Sequence, residues 1–432
     1  MLSTNVKSMF WRGPDFQEAG LGGERRMQYG WIFWIVALWI LAIKVFINWH
    51  SYGTVDITSW IEYGRYAATK DIFSIYEMIP LYNHPPLMSL WLKFLMWLTR
   101  DSPNYFPQVF RMAPIAADFG SAIVLWKISR TYFSEDNAFL RTMIAAGSPI
   151  LIMVSGFHGN TDSIFGFLIL LAGYLLAVRK QLVSSALVLA LSVNVKTVPI
   201  LVVPAFFFWI QNKSERLRFI LWFGGAALLG YLAHLVTVPQ FIFRNIFMYA
   251  GPGGIWGFGN LLNDNGLYRG LGIVLFAISI LYFSRRLGQQ SQAGAKLEEI
   301  RVENGLNLFR ALALAYVSFL SLTPGFGVQY LSWLASLVVF LSIPLAILYT
   351  LAASTFLFMV YTHWCCGFRW AAADSWAGVW PSTVEVMGYV AWLCTLLLLA
   401  QNIKVLRSAK GPLQSAWRFA SRGIGSGLKT PG

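Results

Sequence analysis

An aspartate stands just behind the first long apolar run of the sequence, at the start of the stretch VDITSWIEYGRYA. Trp60, Tyr63 and Tyr66 follow Asp56 at spacings that predict an interfacial helix with an aromatic face. A carboxylate held beside hydrocarbon is partly desolvated, which raises its pKa and makes it a better base for a hydroxyl proton. Asp56 is therefore a candidate general base. The alternative role is an N-cap of the following helix, and the two roles can coexist.

A short polar turn, GFHGNTD, places three side chains close together between two apolar runs. Asp162 alone fits the N-cap of the second run, but capping needs neither His158 nor Asn160. We therefore expect a polar constellation that binds substrate, to which His84 in the motif YNHPPL also contributes. These histidines and the scattered acids lack the spacing of metal ligands, so the sequence predicts neither a metal ion nor another cofactor.

Two basic residues interrupt later apolar stretches, Lys196 in SVNVKTVPILVVP and Arg244 in FIFRNIFMYAGPGGIWGFGN. Their cations suit a lipid phosphate, and the glycines beyond Arg244 allow a loop to approach a ligand. The alternatives are that Lys196 snorkels to water and that the second loop is an interfacial belt. Gln329 and Tyr330 in TPGFGVQYLSW either hydrogen-bond sugar hydroxyls or anchor a helix at the interface.

The composition requires a membrane to position these residues. The chain is 57% hydrophobic and only 12% charged, too few charges for the surface of a soluble domain. Residues 31–49 hold one charge, Lys44, and residues 163–178 and 219–233 hold none, lengths that span or nearly span roughly 30 Å of hydrocarbon. We predict an all-α polytopic membrane protein, a bundle of about 11–13 transmembrane helices with interfacial helices in the first external loop. The predicted spans lie near 31–49, 108–126, 138–154, 162–178, 182–193, 196–210, 219–238, 267–284, 306–322, 328–342, 344–361 and 383–403.

The net charge of +14 reflects membrane topology, because Lys and Arg cluster at the ends of apolar runs. No nucleic-acid partner is therefore predicted. The segment 86–98, PLMSLWLKFLMWL, either spans or lies on the surface. If it is interfacial and the N-terminus is cytoplasmic, 23 Lys and Arg fall inside and nine outside. The positive-inside rule prefers this arrangement, with both termini cytoplasmic and a long external segment over about 50–107. Cys365, Cys366 and Cys394 are too few for a disulfide framework and are interpreted as structural.

The ordered set of motifs resembles the GT-C superfamily of polyprenyl-phosphate-sugar glycosyltransferases over roughly residues 31–345. It is similar to dolichyl-phosphate-glucose glucosyltransferases and to bacterial mannosyltransferase-like relatives. The motifs are the Asp-led aromatic stretch, YNHPPL, FRMAPIAADFGSAIVLW, GFHGNTD, NVKTVP, and IFRNIF followed by GGIWGFGN.

The resemblance implies that Asp56 is the general base and that Lys196 and Arg244 lie near the donor phosphate. Asn83 departs from the pattern, because the glucosyltransferase relatives carry an acid there, so the identity of the sugar does not transfer. The implied organisation is a cytoplasmic segment at 1–30, a catalytic module at 31–345, variable helices at 346–403 and a basic cytoplasmic tail at 404–432.

The sequence thus predicts a hexosyltransferase that moves sugar from a polyprenyl phosphate to a hydroxyl of a glycan, lipid or protein on the external face of a membrane, with inversion. We expect the bacterial plasma membrane, or the endoplasmic reticulum in a eukaryote. A transporter or flippase for a lipid-linked sugar is the alternative, because polar groups facing a membrane cavity also suit substrate passage. A catalytically inactive scaffold subunit is a third class, in which Asp56 has no task.

Overall fold

The computed structural model describes residues 22–249, 251–262, 266–290, 297–367, 370–372 and 380–408. Most of the predicted 1–30 segment and of the 404–432 tail, and part of the loop 362–382, lie outside the described residues. Within these ranges the chain is helical and contains no strand beyond two isolated bridges. The helices are α1 Gly22–His50, α2 Val55–Thr69, α3 Ile75–Met78, α4 Pro86–Leu98, α5 Phe106–Tyr132, α6 Glu135–Ala146, α7 Pro149–Met153, α8 Asp162–Ala177, α9 Leu182–Val195, α10 Val203–Trp209, α11 Lys213–Thr237, α12 Pro239–Ile242, α13 Gly257–Leu261, α14 Gly266–Gln290, α15 Leu297–Leu322, α16 Leu331–Ala335, α17 Ile343–Trp364 and α18 Ser382–Ser408.

Eight helical stretches of the described chain are long and apolar enough to cross a membrane, and four more apolar helices are shorter. The prediction of an all-α, multi-pass integral membrane protein is therefore confirmed. The eight stretches are Gln28–His50, Pro103–Tyr132, Glu135–His158, Lys213–Thr237, Gly266–Gln290, Asn304–Leu322, Ile343–Trp364 and Ser382–Leu406, and the shorter ones are Pro86–Leu98, Asp162–Ala177, Leu182–Val195 and Val198–Trp209.

Helix α15 forms the centre of the bundle. In its most apolar stretch 83% of the residues are buried, against 17% in α1 and α11. It packs against α14, α18, α10 and α5, while α1 and α11 turn large apolar side chains outward. Lipid is the natural solvent for those outer faces, because exposed Trp and Leu at this density would aggregate a soluble protein.

The prediction of one continuous span over 328–342 was wrong. This stretch consists of the 3₁₀ turn Val328–Tyr330, the five-residue helix α16 and the 3₁₀ turn Val338–Phe340. Every residue of α16 is buried, so protein and not lipid surrounds the broken backbone. The break turns the start of α16 toward the polar turn that follows α7.

The segment between α1 and α5 builds a small platform from α2 and α4, which pack against each other. Helix α4 buries Met88, Leu92 and Leu95 and exposes Leu90 and Trp97 on the opposite side. A short helix with apolar side chains on both faces suits a position at the membrane interface. The interfacial placement of 86–98, and the topology that depends on it, remain predictions.

Candidate active site

Asp56 lies in the first turn of α2, two residues after the N-cap Thr54. Its Oδ2 accepts a hydrogen bond from Asn160 Nδ2 at 2.7 Å and lies 3.0 Å from His158 Nε2. The carboxylate therefore binds a distant turn and does not cap its own helix. About a third of the Asp56 side chain (34%) is exposed, against 3% for His158. One side of the carboxylate is thus held by protein, and the other is open to a substrate.

The turn that carries these partners needs glycine at one position. After the π-helical turn Val154–His158, Gly159 adopts φ +78°, in the left-handed region. A Cβ at Gly159 would clash with Cδ1 and Cγ1 of Ile57, so a larger residue would force the Ile57 side chain or α2 to move. The close approach lets Thr54 Oγ1 donate to the His158 carbonyl and Trp60 Nε1 donate to the Gly159 carbonyl. These bonds fix α2, and with it Asp56, against the turn.

A buried arginine also stabilises the junction between the start of α2 and the His158 turn. Arg111 on α5 is fully buried, and its guanidinium donates to carbonyl oxygens at the end of α1 and in the turn before His158. The five carbonyl acceptors belong to Asn48, Ser51, Pro107, Gly156 and Phe157, and Ser51 Oγ accepts as well. Because a guanidinium presents five donors in a fixed plane, it can bind several carbonyls at once. Arg111 thus ties the segment that leads into α2 to the segment that carries His158.

Replacing Arg111 with methionine is expected to lower the free energy of unfolding by about 3 kcal/mol, because several carbonyls lose a charged donor in the interior. Thermal unfolding of the detergent-solubilised protein measures this loss. Lys127→Met, an exposed position on the same helix, is the matched control. Equal melting temperatures for the two variants would show that Arg111 does not hold the junction.

Lys196 follows α9 and forms an ion pair with Asp162, with Nζ 2.6 Å from Oδ1. The same Oδ1 accepts a hydrogen bond from Trp333 Nε1 at 2.8 Å. Lys196 Nζ lies 5.6 Å from the ring centroids of both Tyr330 and Trp333, and these two rings stack at 4.0 Å. Asp162 therefore positions an ammonium over an aromatic platform formed by Tyr330 and Trp333. Thr161, not Asp162, occupies the N-cap position of α8, and its side chain makes no capping hydrogen bond.

The prediction of a raised pKa for Asp56 was wrong. Burial acts in that direction, but the pairing with His158, the hydrogen bond from Asn160 and the charge of Lys196 together hold the pKa of Asp56 below 3.8. The carboxylate is therefore ionised throughout the neutral range. His84 stacks against Trp60 at 4.3 Å. Burial, with the nearby Lys196 charge, lowers the pKa of His84 to about 3, so its ring is neutral.

The pH dependence of transfer follows from the lowered pKa of Asp56. The active base is the carboxylate, which is lost only as the pH falls through its folded pKa, below 3.8. Protonation of Asp56 should therefore not reduce kcat/KM between pH 7 and pH 5. In Asn160→Ala the carboxylate of Asp56 loses one hydrogen bond that stabilises it, so the effect of burial is less fully offset and its pKa rises. The acid limb of the pH profile should therefore move to higher pH. Identical pH profiles for the two proteins would exclude Asn160 as a partner of the base.

The structure joins most of the predicted site residues but not all of them. Asp56, His158 and Asn160 are in direct contact, and Lys196, Asp162 and Tyr330 form a second cluster, in which the charge of Lys196 acts on Asp56. Arg244 contacts the segment between α1 and α5 instead, where its guanidinium donates to the Tyr76 carbonyl at 3.3 Å. The Gln329 side chain lies over Gly327, beside the aromatic platform.

Sequence reasoning missed several residues that hold the site together. Tyr361 is hydrogen-bonded to His158 Nδ1 at 2.9 Å, and Trp333 and Arg111 position Asp162 and the His158 turn. An aromatic residue within an apolar helix looks like core packing in a sequence. The sequence offered one signal, which is that Arg111 and Asp118 occur in the same apolar run. Asp118 instead forms a buried ion pair with Lys44 at 2.5 Å.

Across the part of the chain that the structure describes, no group of three or more His, Cys, Asp or Glu side chains is placed to hold a metal ion. The expectation that no metal is required remains a prediction. The three cysteines are free.

Residues 83–248 match a family model described as dolichyl-phosphate-mannose-protein mannosyltransferase. No curated protein matches the chain. The matched region contains His84, the 158–162 turn, Lys196 and Arg244, while Asp56 precedes it and Tyr330 follows it. The match covers less than half of the chain and supports the resemblance seen in the sequence, to a GT-C superfamily glycosyltransferase that uses a lipid-linked sugar.

Proposed function

We propose that the chain transfers a hexose from a polyprenyl-phosphate sugar to an acceptor hydroxyl at the external face of the membrane, with inversion at the anomeric carbon. The observation that carries this proposal is the half-open carboxylate of Asp56. His158 and Asn160 fix one of its oxygens, and a third of the side chain remains exposed. A fixed, ionised carboxylate beside open space has the geometry of a general base.

Lys196 is the proposed contact for the donor phosphate. It is mostly buried, with 12% of its side chain exposed, and Asp162 holds it in place. An ammonium has three donors, so Lys196 can keep its bond to Asp162 and still donate to a phosphate oxygen. Its charge acts on both Asp56 and His84, which supports a reacting centre between these side chains. Arg244, exposed in its loop, is proposed as a second cation that reaches the phosphate when the donor binds.

In the proposed reaction Asp56 removes the proton of the acceptor hydroxyl while that oxygen attacks the anomeric carbon. The bond between the anomeric carbon and the phosphate oxygen breaks, and the polyprenyl phosphate leaves with the electron pair and one more negative charge. Lys196 stabilises that developing charge. A single displacement on the face opposite to the phosphate inverts the anomeric configuration. The aromatic platform and the neutral His84, with Gln329, are proposed to contact the sugar or the acceptor.

The proposed catalytic module covers residues 31–345, followed by variable helices at 346–403. The proposed setting is a bacterial plasma membrane, with the site facing outward, and the proposed acceptor is a glycan, a lipid or a protein. The family match to a mannosyltransferase makes mannose the first sugar to test.

Transfer assays with purified protein in proteoliposomes test the proposal. Radiolabelled polyprenyl-phosphate mannose, glucose and galactose are supplied separately, together with extracted membrane glycolipids as acceptors, and GDP-mannose serves as the nucleotide-sugar control. We expect label to pass from one lipid phosphate to an acceptor with the wild type and not with Asp56→Asn. If label crosses the bilayer unreacted, and equally with both proteins, the chain is a transporter and the enzymatic proposal is wrong.

A native cysteine reports the side of the membrane that the site faces. Cys366 is exposed just after α17, whereas Cys394 is buried in α18. Tyr361 on α17 contacts His158, and the Tyr52 amide donates to the Ala371 carbonyl at 2.5 Å. The end of α17 therefore lies on the same side of the bundle as the candidate site.

We expect a membrane-impermeant maleimide to label intact cells that express the wild type, and labelling to fall in Cys366→Ala. Protein from permeabilised cells gives the total reactive thiol. Labelling of Cys366 only after permeabilisation would place the site in the cytoplasm and contradict the proposed external face.

A further inference from the structure

Tyr361 lies on α17, beyond the residues 83–248 that match the family model, yet it touches the candidate base through one intermediate. Its hydroxyl oxygen is 2.9 Å from His158 Nδ1, and His158 Nε2 is 3.0 Å from Asp56 Oδ2. Tyr361 is fully buried and His158 is 2% exposed. Tyr361, His158 and Asp56 thus form a hydrogen-bonded row that begins in the protein interior and ends at the open carboxylate.

The chemistry of the three groups determines where the histidine proton lies. An ionised carboxylate only accepts, so His158 Nε2 must carry a hydrogen to bond Asp56. In a neutral imidazole Nδ1 is then an acceptor, and the Tyr361 hydroxyl donates to it. If Nδ1 also carried a hydrogen, the Tyr361 oxygen would have to accept, and its own hydrogen would need another acceptor in the interior. His158 is the hydrogen-bond partner of this hydroxyl within the described chain, so the neutral form fits the row.

We propose that Tyr361 is a positioning residue for the catalytic base, because it holds His158 neutral with its proton on Nε2, directed at Asp56. This inference rests on the proposed role of Asp56. A neutral donor orients the carboxylate while withdrawing less of its basicity than a full imidazolium charge would. The hydrogen bond at one ring nitrogen sets the state of the other. Through Tyr361, helix α17 of the C-terminal region acts directly on the candidate site.

The rings around Tyr361 make a clean test possible. Phe157, Trp364 and Trp370 contact its ring, with centroids 5.3 to 5.8 Å away. Tyr361→Phe keeps these contacts and removes only the hydroxyl. Tyr349 on the same helix is the matched control, because it is also fully buried and its hydroxyl donates to the Leu331 carbonyl at 2.7 Å. Tyr349→Phe therefore removes an equivalent buried hydrogen bond away from Asp56.

The other ionisable groups near the row are shared by both variants and by the wild type. Those that act electrostatically on Asp56 or are influenced by it lie on α2, before α4, after α9, after the π-helical turn Phe243–Phe247, and before α16. They are Tyr63, His84, Lys196, Tyr249 and Tyr330, and Asp162 and Cys365 act on Tyr361 itself. Because both variants retain all of these groups, a difference in behaviour between Tyr361→Phe and Tyr349→Phe is caused by the loss of the Tyr361 hydroxyl from the hydrogen-bonded row.

Solid-state NMR of the full chain, labelled with ¹⁵N-histidine in lipid bilayers, reads the histidine state without any sugar substrate. The chain has five histidines, and the signal that disappears in His158→Gln identifies His158. At pH 7.5 we expect a protonated Nε2 and a bare Nδ1 in the wild type and in Tyr349→Phe. In Tyr361→Phe we expect Nδ1 to become protonated. A protonated Nδ1 in the wild type, or an unchanged His158 signal in Tyr361→Phe, would overturn the proposal.

A double-mutant cycle then connects this state to catalysis. With whichever polyprenyl-phosphate sugar is turned over, Tyr361→Phe should lower kcat/KM about tenfold at pH 7 and move the acid limb of the profile to lower pH, because an imidazolium beside Asp56 lowers the pKa of that carboxyl. Added to His158→Gln, the same change should cost less than about twofold, because the row is already broken. An equal loss of kcat/KM in the wild-type and His158→Gln backgrounds would show that Tyr361 has only a structural role. If no donor is turned over, the proposed function fails while the NMR result still decides the state of His158.

Discussion

Asp56→Asn is expected to lower the rate of sugar transfer by about 10²–10⁴-fold, the range that general-base catalysis supplies. Asparagine has nearly the same volume, and its carbonyl can still accept from His158 and Asn160, so the fold around α2 should be kept. The loss should appear in kcat, because the carboxylate acts on the acceptor proton during bond formation and not on donor binding. Single-turnover transfer at saturating donor measures it.

The matched control for this variant is Asp101→Asn, in the same segment between α1 and α5. The Asp101 side chain is 88% exposed and pairs with the neighbouring Arg100, so removal of its charge should leave transfer unchanged. Donor binding by Asp56→Asn, followed through protection against thermal unfolding, should equal that of the wild type. Transfer by Asp56→Asn within about threefold of the wild type would remove Asp56 from the base role and return it to a structural one.

Much of the fold class follows from the sequence alone, because membrane depth requires long apolar helices and few charges. The breaks in that pattern also located Asp56, His158, Asn160 and Lys196, since polar residues at apolar boundaries are rare enough to stand out. The broken segment around α16 did not stand out. Its residues are as apolar as those of a span, and the bond from Trp333 to Asp162 that accompanies the break joins distant parts of the chain.

The electrostatic state of the site was not predictable in the same way. Whether burial or hydrogen bonding dominates the pKa of Asp56 depends on how closely α2 approaches the His158 turn, and that distance depends on Gly159. Arg111 illustrates a second limit. Its partners are backbone carbonyls, which every residue has, so no pattern of side chains in the sequence predicts them. Arg244 shows the converse, because its residue type suggested the phosphate site while its contacts lie with Tyr76.

Lys196→Met is expected to lower kcat/KM for the lipid-phosphate donor by about 10²–10³-fold, the cost of losing one preorganised group that stabilises developing negative charge. The methionine keeps the length of the side chain and its packing over Tyr330 and Trp333. Lys93→Met, an exposed position on α4, removes a cation that contacts neither Asp162 nor the aromatic platform and should leave the donor dependence unchanged.

The effect of this substitution on stability must be separated from its effect on the donor. Without Lys196, Asp162 is a buried carboxylate with Trp333 as its remaining side-chain donor, and an uncompensated buried charge is destabilising. Lys196→Met combined with Asp162→Asn restores the charge balance, so the melting temperature should recover toward that of the wild type. Transfer should not recover, because the phosphate still lacks its cation. Recovery of both quantities in the double variant would show that Lys196 only neutralises Asp162, and the donor phosphate would then have to be placed elsewhere, with Arg244 the next cation to test.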